Sequence, residues 1–550
     1  MTESSSAVAA VLDAPPAATQ TPLKFTLLET LLKEQQTLSA VDKFARFHGD
    51  SHEPHQARYY RELIPATQPQ PGQQYAFEVD LDACSGCKAC VTACHSLNGL
   101  DETETWRSVG LLVGSGEKPV FQMVTSACHH CLHPACMDGC PAMAYDKDPV
   151  TGIVKHLDDQ CIGCQYCVLK CPYDVPKYSK SRGIVRKCDM CSSRLAVSEA
   201  PACVQACPNT AIRITVVDTS DIALRADSAL LPDCPASDYT HPSTLYKSKL
   251  RLPEAVYAAD ATQLKPEDSH LPLVATLVLT QASLGLVLAG IVYSATVAQL
   301  PPWFAAAVAA LAIVGINCAP LHLGRPLYGF RAVLGFRTSW LSREILAFGA
   351  YAGALTAYAA AAIVPTVLEI PDDYVAWLRP AQNAAAALSL LTGLGAVFCS
   401  AMIYIDTRRP FWSAWLTLPR FFGSVLVASA AALFAMAVTY GRASVIAGIC
   451  FIAVLVAKLT IEAGFFTHLQ STTLTHHKKS ALLMSGPLRA VTIVRFGFGA
   501  VAIAAAAAAI IANSPHAALL AGMLAILGEF LERYLFFTAA VRLKMPGALA

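Results

Sequence analysis

Sixteen of the chain's 20 cysteines fall between Cys84 and Cys207, in four groups of four. The groups are Cys84, Cys87, Cys90 and Cys94; Cys128, Cys131, Cys136 and Cys140; Cys161, Cys164, Cys167 and Cys171; and Cys188, Cys191, Cys203 and Cys207. A proline follows the last cysteine of three groups, at Pro141, Pro172 and Pro208. Disulfides explain this poorly, because close thiols on one tight loop cannot readily reach one another with disulfide geometry. Zinc is a second bland reading, but zinc sites use isolated ligand sets, often mixed with histidine, and every set here is all-cysteine. The third group, CIGCQYCVLKCP, has the C-x2-C-x2-C-x3-C-Pro spacing in which three close cysteines hold one [4Fe-4S] cube and the fourth reaches a neighbouring cube. Sixteen thiolates at four per cube serve four cubes with none left over. The proline, which cannot donate a backbone hydrogen bond, turns the chain away after the distant ligand.

The rest of the chain is a different physical object. Hydrophobic residues make up 54% of the 550 positions and charged residues 15%, which is extreme for a protein without a membrane part. The net charge of +1 hides an asymmetry: residues 271–550 carry 17 Lys plus Arg against 8 acids, which leaves 24 against 32 for residues 1–270 from totals of 41 and 40. Neither half holds a dense basic patch, which argues against nucleic acid as a partner. Eight apolar stretches follow Leu271, at 271–297, 301–320, 342–366, 381–404, 421–439, 443–465, 491–512 and 516–540. Each is long enough to cross a bilayer, which takes about 20 residues, and their Ala and Gly suit close helix packing in lipid.

Eight crossings put both ends on one side. The loops there carry thirteen basic residues: Arg325, Arg331, Arg337, Arg343, Arg408, Arg409, Arg420, Lys478, Lys479, Arg489, Arg495, Arg542 and Lys544. The opposite loops hold Arg379 and Arg442 beside Glu369, Asp372 and Asp373. The positive-inside rule then places the iron-sulfur part and both termini in the cytoplasm, on a bacterial inner membrane. Neither a secretory apolar core nor a twin-arginine pair is seen at the start, so no export signal of its own is expected.

Four segments follow: 1–50, a polar tail and a partner-docking helix over KFTLLETLLKEQQTLSAVDKFARFH; 51–217, the four-cluster domain; 218–270, a wrapping extension and linker; and 271–550, the membrane domain. The expected fold class is a duplicated ferredoxin-like α+β iron-sulfur domain followed by an all-α eight-helix transmembrane bundle. His129, His130 and His133 are read as hydrogen-bond donors to cluster sulfur or as solvent-facing side chains rather than as ligands. Cys234, Cys318, Cys399 and Cys450 are read as small buried hydrophobes. Lys458 with Glu462, and Glu529 with Arg533, have i,i+4 helical spacing and are read as internal ion pairs.

The phrases CSGCKACVTAC, CHHCLHPACMDGCP and CDMC followed by PACVQACP resemble the four-cluster electron-transfer subunit of the dimethyl sulfoxide reductase family, over roughly residues 56–250. The resemblance implies that the first group shares clusters with the fourth, and the second with the third. One cube would take Cys84, Cys87, Cys90 and Cys207, and its partner Cys188, Cys191, Cys203 and Cys94. A third would take Cys128, Cys131, Cys136 and Cys171, and the fourth Cys161, Cys164, Cys167 and Cys140. HLGRPLYGFRAVLGFRTSWLSREI, from His322 to Ile345, resembles the eight-helix anchor of the same reductases.

No histidine pair suggests axial ligands, so no heme is expected. Exchangeable quinol or quinone is the expected substrate of the anchor. The resembling anchors use the matching His and Glu for quinol, which makes His322, Glu344 and the intervening Arg325 the candidate catalytic residues; the bland reading of Glu344 is a carboxylate favoured by a helix start. The expected function is transfer of electrons from quinol, through four [4Fe-4S] clusters, to a separate molybdopterin-containing catalytic subunit. The alternatives are reverse flow, in which a cytoplasmic partner reduces quinone, and a membrane-tethered ferredoxin adaptor without quinol turnover.

Overall fold

A computed structural model describes residues 26–36, 39–50, 57–114, 119–249, 252–253, 256–297, 299–368, 372–440 and 444–547. Most of the expected tail, together with Glu369 and Arg442, lies outside these residues. The chain divides into a unit over residues 1–60 and a second over residues 61–550.

In the first unit, helices run over Leu27–Gln36 and Ala40–Asp50. Each opens with a reciprocal cap. The Glu29 amide donates to the Thr26 hydroxyl while Thr26 N donates to Glu29 Oε2, and Ser39 and Asp42 repeat the exchange. Leu27, Leu28, Leu31 and Leu32 are exposed.

The second unit begins with the α+β part. Strand Gln73–Asp80 is central, with Ile212–Asp218 antiparallel on one side and Leu245–Lys247 parallel on the other. A second three-stranded sheet places Ser108–Gly114 between Val120–Ser126 and Val256–Ala258. Two hairpins, Tyr145–Lys147 with Val154–His156 and Lys177–Ser179 with Ile184–Arg186, complete it. The duplication is visible in the backbone. The first cysteine loop turns left-handed at Gly86 (φ 74°) and Lys88 (φ 61°), and the third repeats this at Gly163 (φ 72°) and Gln165 (φ 60°). Each turn leads into a short helix, Ala89–Asn98 or Tyr166–Lys170, that carries the next cysteines.

Eight long helices follow among the described residues: Leu271–Thr296, Pro302–Cys318, Trp340–Val367, Asp372–Ile405, Ala414–Thr439, Ser444–Gly464, Arg489–Ala512 and Pro515–Thr538. Helices one to four pack as one group and five to eight as another, and helix one joins them through helices five and eight. The fourth helix starts well before the expected 381, continuing through Pro380; membrane helices tolerate an internal proline where neighbours re-satisfy the backbone. By length and apolarity alone, seven of the eight qualify as membrane spans. The eighth carries Glu529, Glu532 and Arg533, all buried among its neighbours.

One end of the bundle meets the α+β part closely. Arg325 N donates to the Ile162 carbonyl (3.1 Å), Gly335 N to the Pro141 carbonyl (2.8 Å) and Ser339 Oγ to the Gly139 carbonyl (2.8 Å). Gly324 lies against the backbone of Gly183 and beside Gly163, so that a Cβ at any of the three would strike main chain. The C-terminal tail returns to the α+β part, with Leu111 N bonded to the Gly547 carbonyl and Lys544 paired with Asp260.

Candidate functional site

The cysteine groups interleave as the chain folds. Cys84, Cys87, Cys90 and Cys207 line one small cavity, Cys128, Cys131, Cys136 and Cys171 a second, and Cys140, Cys161, Cys164 and Cys167 a third. Cys94, Cys188, Cys191 and Cys203 are neighbours: burial first, and then charge that includes that of Cys203, raises the pKa values of Cys94, Cys188 and Cys191. The four sets form a continuous line. Cys90 lies near Cys203, Cys188 lies near Cys128, and Tyr145 lies near both Cys136 and Cys167. Cys87 is exposed at one end.

The donor chemistry of these sets fits iron-sulfur cubes. Burial pushes the Cys94 thiol up to about 12 and the Cys140 thiol up to about 11, and raises the thiols of Cys136, Cys167 and Cys188 as well. Buried thiolates therefore need compensating positive charge, which cluster iron supplies. Cys161 is the exception: burial raises its pKa, but His156 and the Val185 and Gly163 amides outweigh it and the net shift is downward.

Two buried cations between the sets were not anticipated from sequence. Arg107 is buried near Cys203, Cys90, Cys188 and Cys94, whose negative charge raises its pKa against the opposing effect of burial. Lys187 is buried near Cys128, Cys136 and Cys188 and donates to the Cys188 carbonyl (2.9 Å). The only sequence signal was the adjacency of Lys187 to Cys188. His129 and His130 are fully buried. His129 Nδ1 bonds to Thr244 Oγ1 (2.8 Å) and His130 Nδ1 accepts from Val154 N (3.1 Å). Burial first, and then nearby cations, push both pKa values down, that of His129 to about 3, so both rings are neutral.

At the other end of the line, a cavity of about 220 Å³ opens between the α+β part and helices one to four. Ile162, Cys164, Tyr166 and Leu169 line it from the cysteine domain; His322, Glu344, Phe348 and Tyr404 are among the anchor residues that line it. His322 Nδ1 bonds to the Ala319 carbonyl, which leaves Nε2 as the ring's acceptor. Glu344 accepts a hydrogen bond from Ser400 Oγ. Arg325 is placed elsewhere: its guanidinium donates to the Asp158 carbonyl (2.9 Å) and it is not among the cavity residues.

The expected intrahelical ion pairs are rearranged. Lys458 and Glu462 are 4.0 Å apart, but Lys458 bonds more closely to Glu529 of helix eight, and Arg495 of helix seven makes a two-point contact with Glu462 (3.0 and 2.8 Å) and reaches Glu529 (3.1 Å). Arg533 turns to Gln281 and Ser424 (both 3.0 Å). Arg420 and Arg495, counted above as loop charges, are buried in this network instead. Of the single cysteines, Cys450 is exposed, and Cys234, Cys318 and Cys399 are partly exposed rather than buried.

Residues 120–217 match the family described as a 4Fe-4S dicluster domain, and residues 267–539 match the DMSO reductase anchor subunit (DmsC) family. The B subunit of the anaerobic dimethyl sulfoxide reductase of Haemophilus influenzae is 33% identical over 185 residues, 32% of this chain and 89% of that protein. Its counterpart of the same name in Escherichia coli K12 is 33% identical over 183 residues, 32% of this chain and 88% of that protein. The chain belongs to the dimethyl sulfoxide reductase family. It joins the family's iron-sulfur electron-transfer subunit and its multi-pass membrane anchor in one polypeptide. The formate dehydrogenase-O iron-sulfur subunit of E. coli K12 is also similar, 33% identical over 168 residues, 27% of this chain and 56% of that protein.

Proposed function

We propose that the protein takes electrons from membrane quinol and passes them through four [4Fe-4S] clusters to a separate molybdopterin-containing catalytic subunit. The observation that carries this reading is the shared cavity, in which Cys164 of one cysteine set faces the same space as His322 and Glu344 of the anchor. When bound, the clusters would supply one-electron carriers. Each cube takes the four cysteines that line one cavity, or that neighbour one another in the Cys94 set. His322 presents an acceptor nitrogen and Glu344 a carboxylate, so the two can hold the quinol hydroxyls and take a proton, while the apolar walls seat the ring. Arg107 and Lys187 offset part of the negative charge of adjacent clusters.

The iron-sulfur domain and both termini lie on the cytoplasmic side of the inner membrane in this reading. Arg325, Arg331, Arg337, Arg343, Arg408, Arg409, Lys478, Lys479, Arg489, Arg542 and Lys544 support it, standing on that side against Arg379 among the described residues. Anaerobically prepared protein is expected to hold about sixteen irons per chain, and a menaquinol analogue should bleach its cluster absorbance. Full iron content without quinol-driven bleaching would identify a tethered ferredoxin adaptor instead.

A further inference from the structure

A quinol gives up two protons, and His322 and Glu344, which hold its hydroxyls, account for one of them, taken by Glu344. Tyr166 lines the same cavity from the opposite wall and lies between Cys164 and Cys167 in sequence. Its hydroxyl is 3.1 Å from the Ile403 carbonyl and 3.3 Å from Asp406 Oδ2. Both partners are acceptors, so the hydroxyl donates its one proton toward them and its lone pairs are left for a donor in the cavity. Asp406 is the last link before water: its side chain is 27% exposed, at the junction of the two domains. Lys170 Nζ pins its Oδ2 (2.6 Å), and the Tyr239 hydroxyl donates to its carbonyl (3.2 Å). Lys170 follows Tyr166 by one helical turn, so the helix Tyr166–Lys170 reaches both the cavity and the fixed carboxylate.

We infer that Tyr166 and Asp406 form a proton exit, through which the second quinol proton leaves the cavity for the solvent beside the iron-sulfur domain. This rests on the quinol reading above. Both quinol O–H bonds break and the ring becomes a quinone. The cluster that Cys140, Cys161, Cys164 and Cys167 would hold would supply the one-electron acceptor for its two electrons, taken one at a time; one proton goes to Glu344, and the other goes to the Tyr166 oxygen. Tyr166 releases its own proton to Asp406 in the same step and stays neutral, and Asp406 then loses its proton to water. Electron and proton thus part at one short helix, toward the cysteine line and toward the Lys170 end.

The test uses the full-length membrane protein and compares Tyr166→Phe, Asp406→Asn and Asp406→Glu. Positioned acid–base groups contribute about 10²–10⁴-fold to rate. Tyr166→Phe and Asp406→Asn are therefore expected to lower kcat for menaquinol-analogue oxidation by about 10²-fold, with KM little changed and a larger H2O/D2O rate ratio. Asp406→Glu should restore most of the rate. Reduction of the iron-sulfur centres by dithionite, and binding of a fluorescent hydroxyquinoline N-oxide, should survive in all three. Wild-type turnover in both Tyr166→Phe and Asp406→Asn would overturn the exit, as would loss of dithionite reduction or analogue binding along with turnover, which would mean that the pair only holds the domains together. A wild-type protein that neither binds the analogue nor oxidises quinol would instead overturn the quinol reading itself.

Discussion

Glu344 and Glu529 are both carboxylates inside the anchor, and their surroundings are opposite. Glu529 is 1% exposed and meets Lys458, Arg495 and Ser424, so three helices converge on it. Glu344 accepts from Ser400, pairs with no cation among the described residues and faces a cavity. A buried charge is costly unless it is paired. The network around Glu529 answers that cost with four cations, Arg420, Lys458, Arg495 and Arg533, for three carboxylates, Glu462, Glu529 and Glu532. The carboxylate at the cavity is left able to exchange a proton. The difference teaches that an ionisable residue in a membrane helix has to be read by its partners: a saturated one holds helices together, and a lone one beside a cavity is a site.

The sharpest way to break this contrast is to take a partner from the saturated group. Arg495→Ala leaves Glu462 and Glu529 short of donors, and removing one member of a buried pair costs about 3–5 kcal/mol. The variant is expected to unfold at markedly lower temperature in detergent while its iron-sulfur domain still assembles. A thermal midpoint equal to wild type would show that the network does not hold helices five to eight together. Glu344→Gln should behave in the opposite way. It keeps the size and the Ser400 contact, so folding and iron content are expected to stay intact while quinol oxidation falls by about 10²-fold. Quinol turnover at the wild-type rate would make Glu344 a structural carboxylate.

The smallest expected effect sharpens the boundary of the cavity. Arg325→Gln loses one bond to the Asp158 carbonyl and keeps the backbone bond to Ile162. One such hydrogen bond is worth about 1 kcal/mol, so a modest loss of stability with quinol KM and kcat near wild type is expected. A large rise in KM would return Arg325 to the cavity chemistry.

Much of this was legible from one line of sequence. Periodic cysteines with fixed spacing constrain a loop locally, and long apolar runs constrain a helix locally, so the α+β iron-sulfur part and the helical membrane part were both readable. His322 and Glu344 stood out in the sequence, and the structure brings them to one cavity. Tyr166 did not, because it sits inside the motif CIGCQYC, where the cysteines absorb attention and nothing marks the intervening side chain. Asp406 was one acid in an arginine-bearing loop, and its neighbour Tyr166 is 240 positions away. The thirteen loop charges included Arg420 and Arg495 because apolar windows end at a charge, although a helix need not.

The sequence by itself determined which thiols are available, how they are spaced, and that a series of long apolar helices follows. Those properties are set by bond geometry and by the length of a bilayer crossing, and they act within a few residues. Tertiary structure alone decided which charges pair, since Lys458 chose Glu529 on another helix over Glu462 one turn away. It also decided that Cys164, Tyr166, His322 and Glu344 share one cavity. Both outcomes depend on how close two backbones can come, and that distance is set by packing, as where Gly324 rests on Gly183.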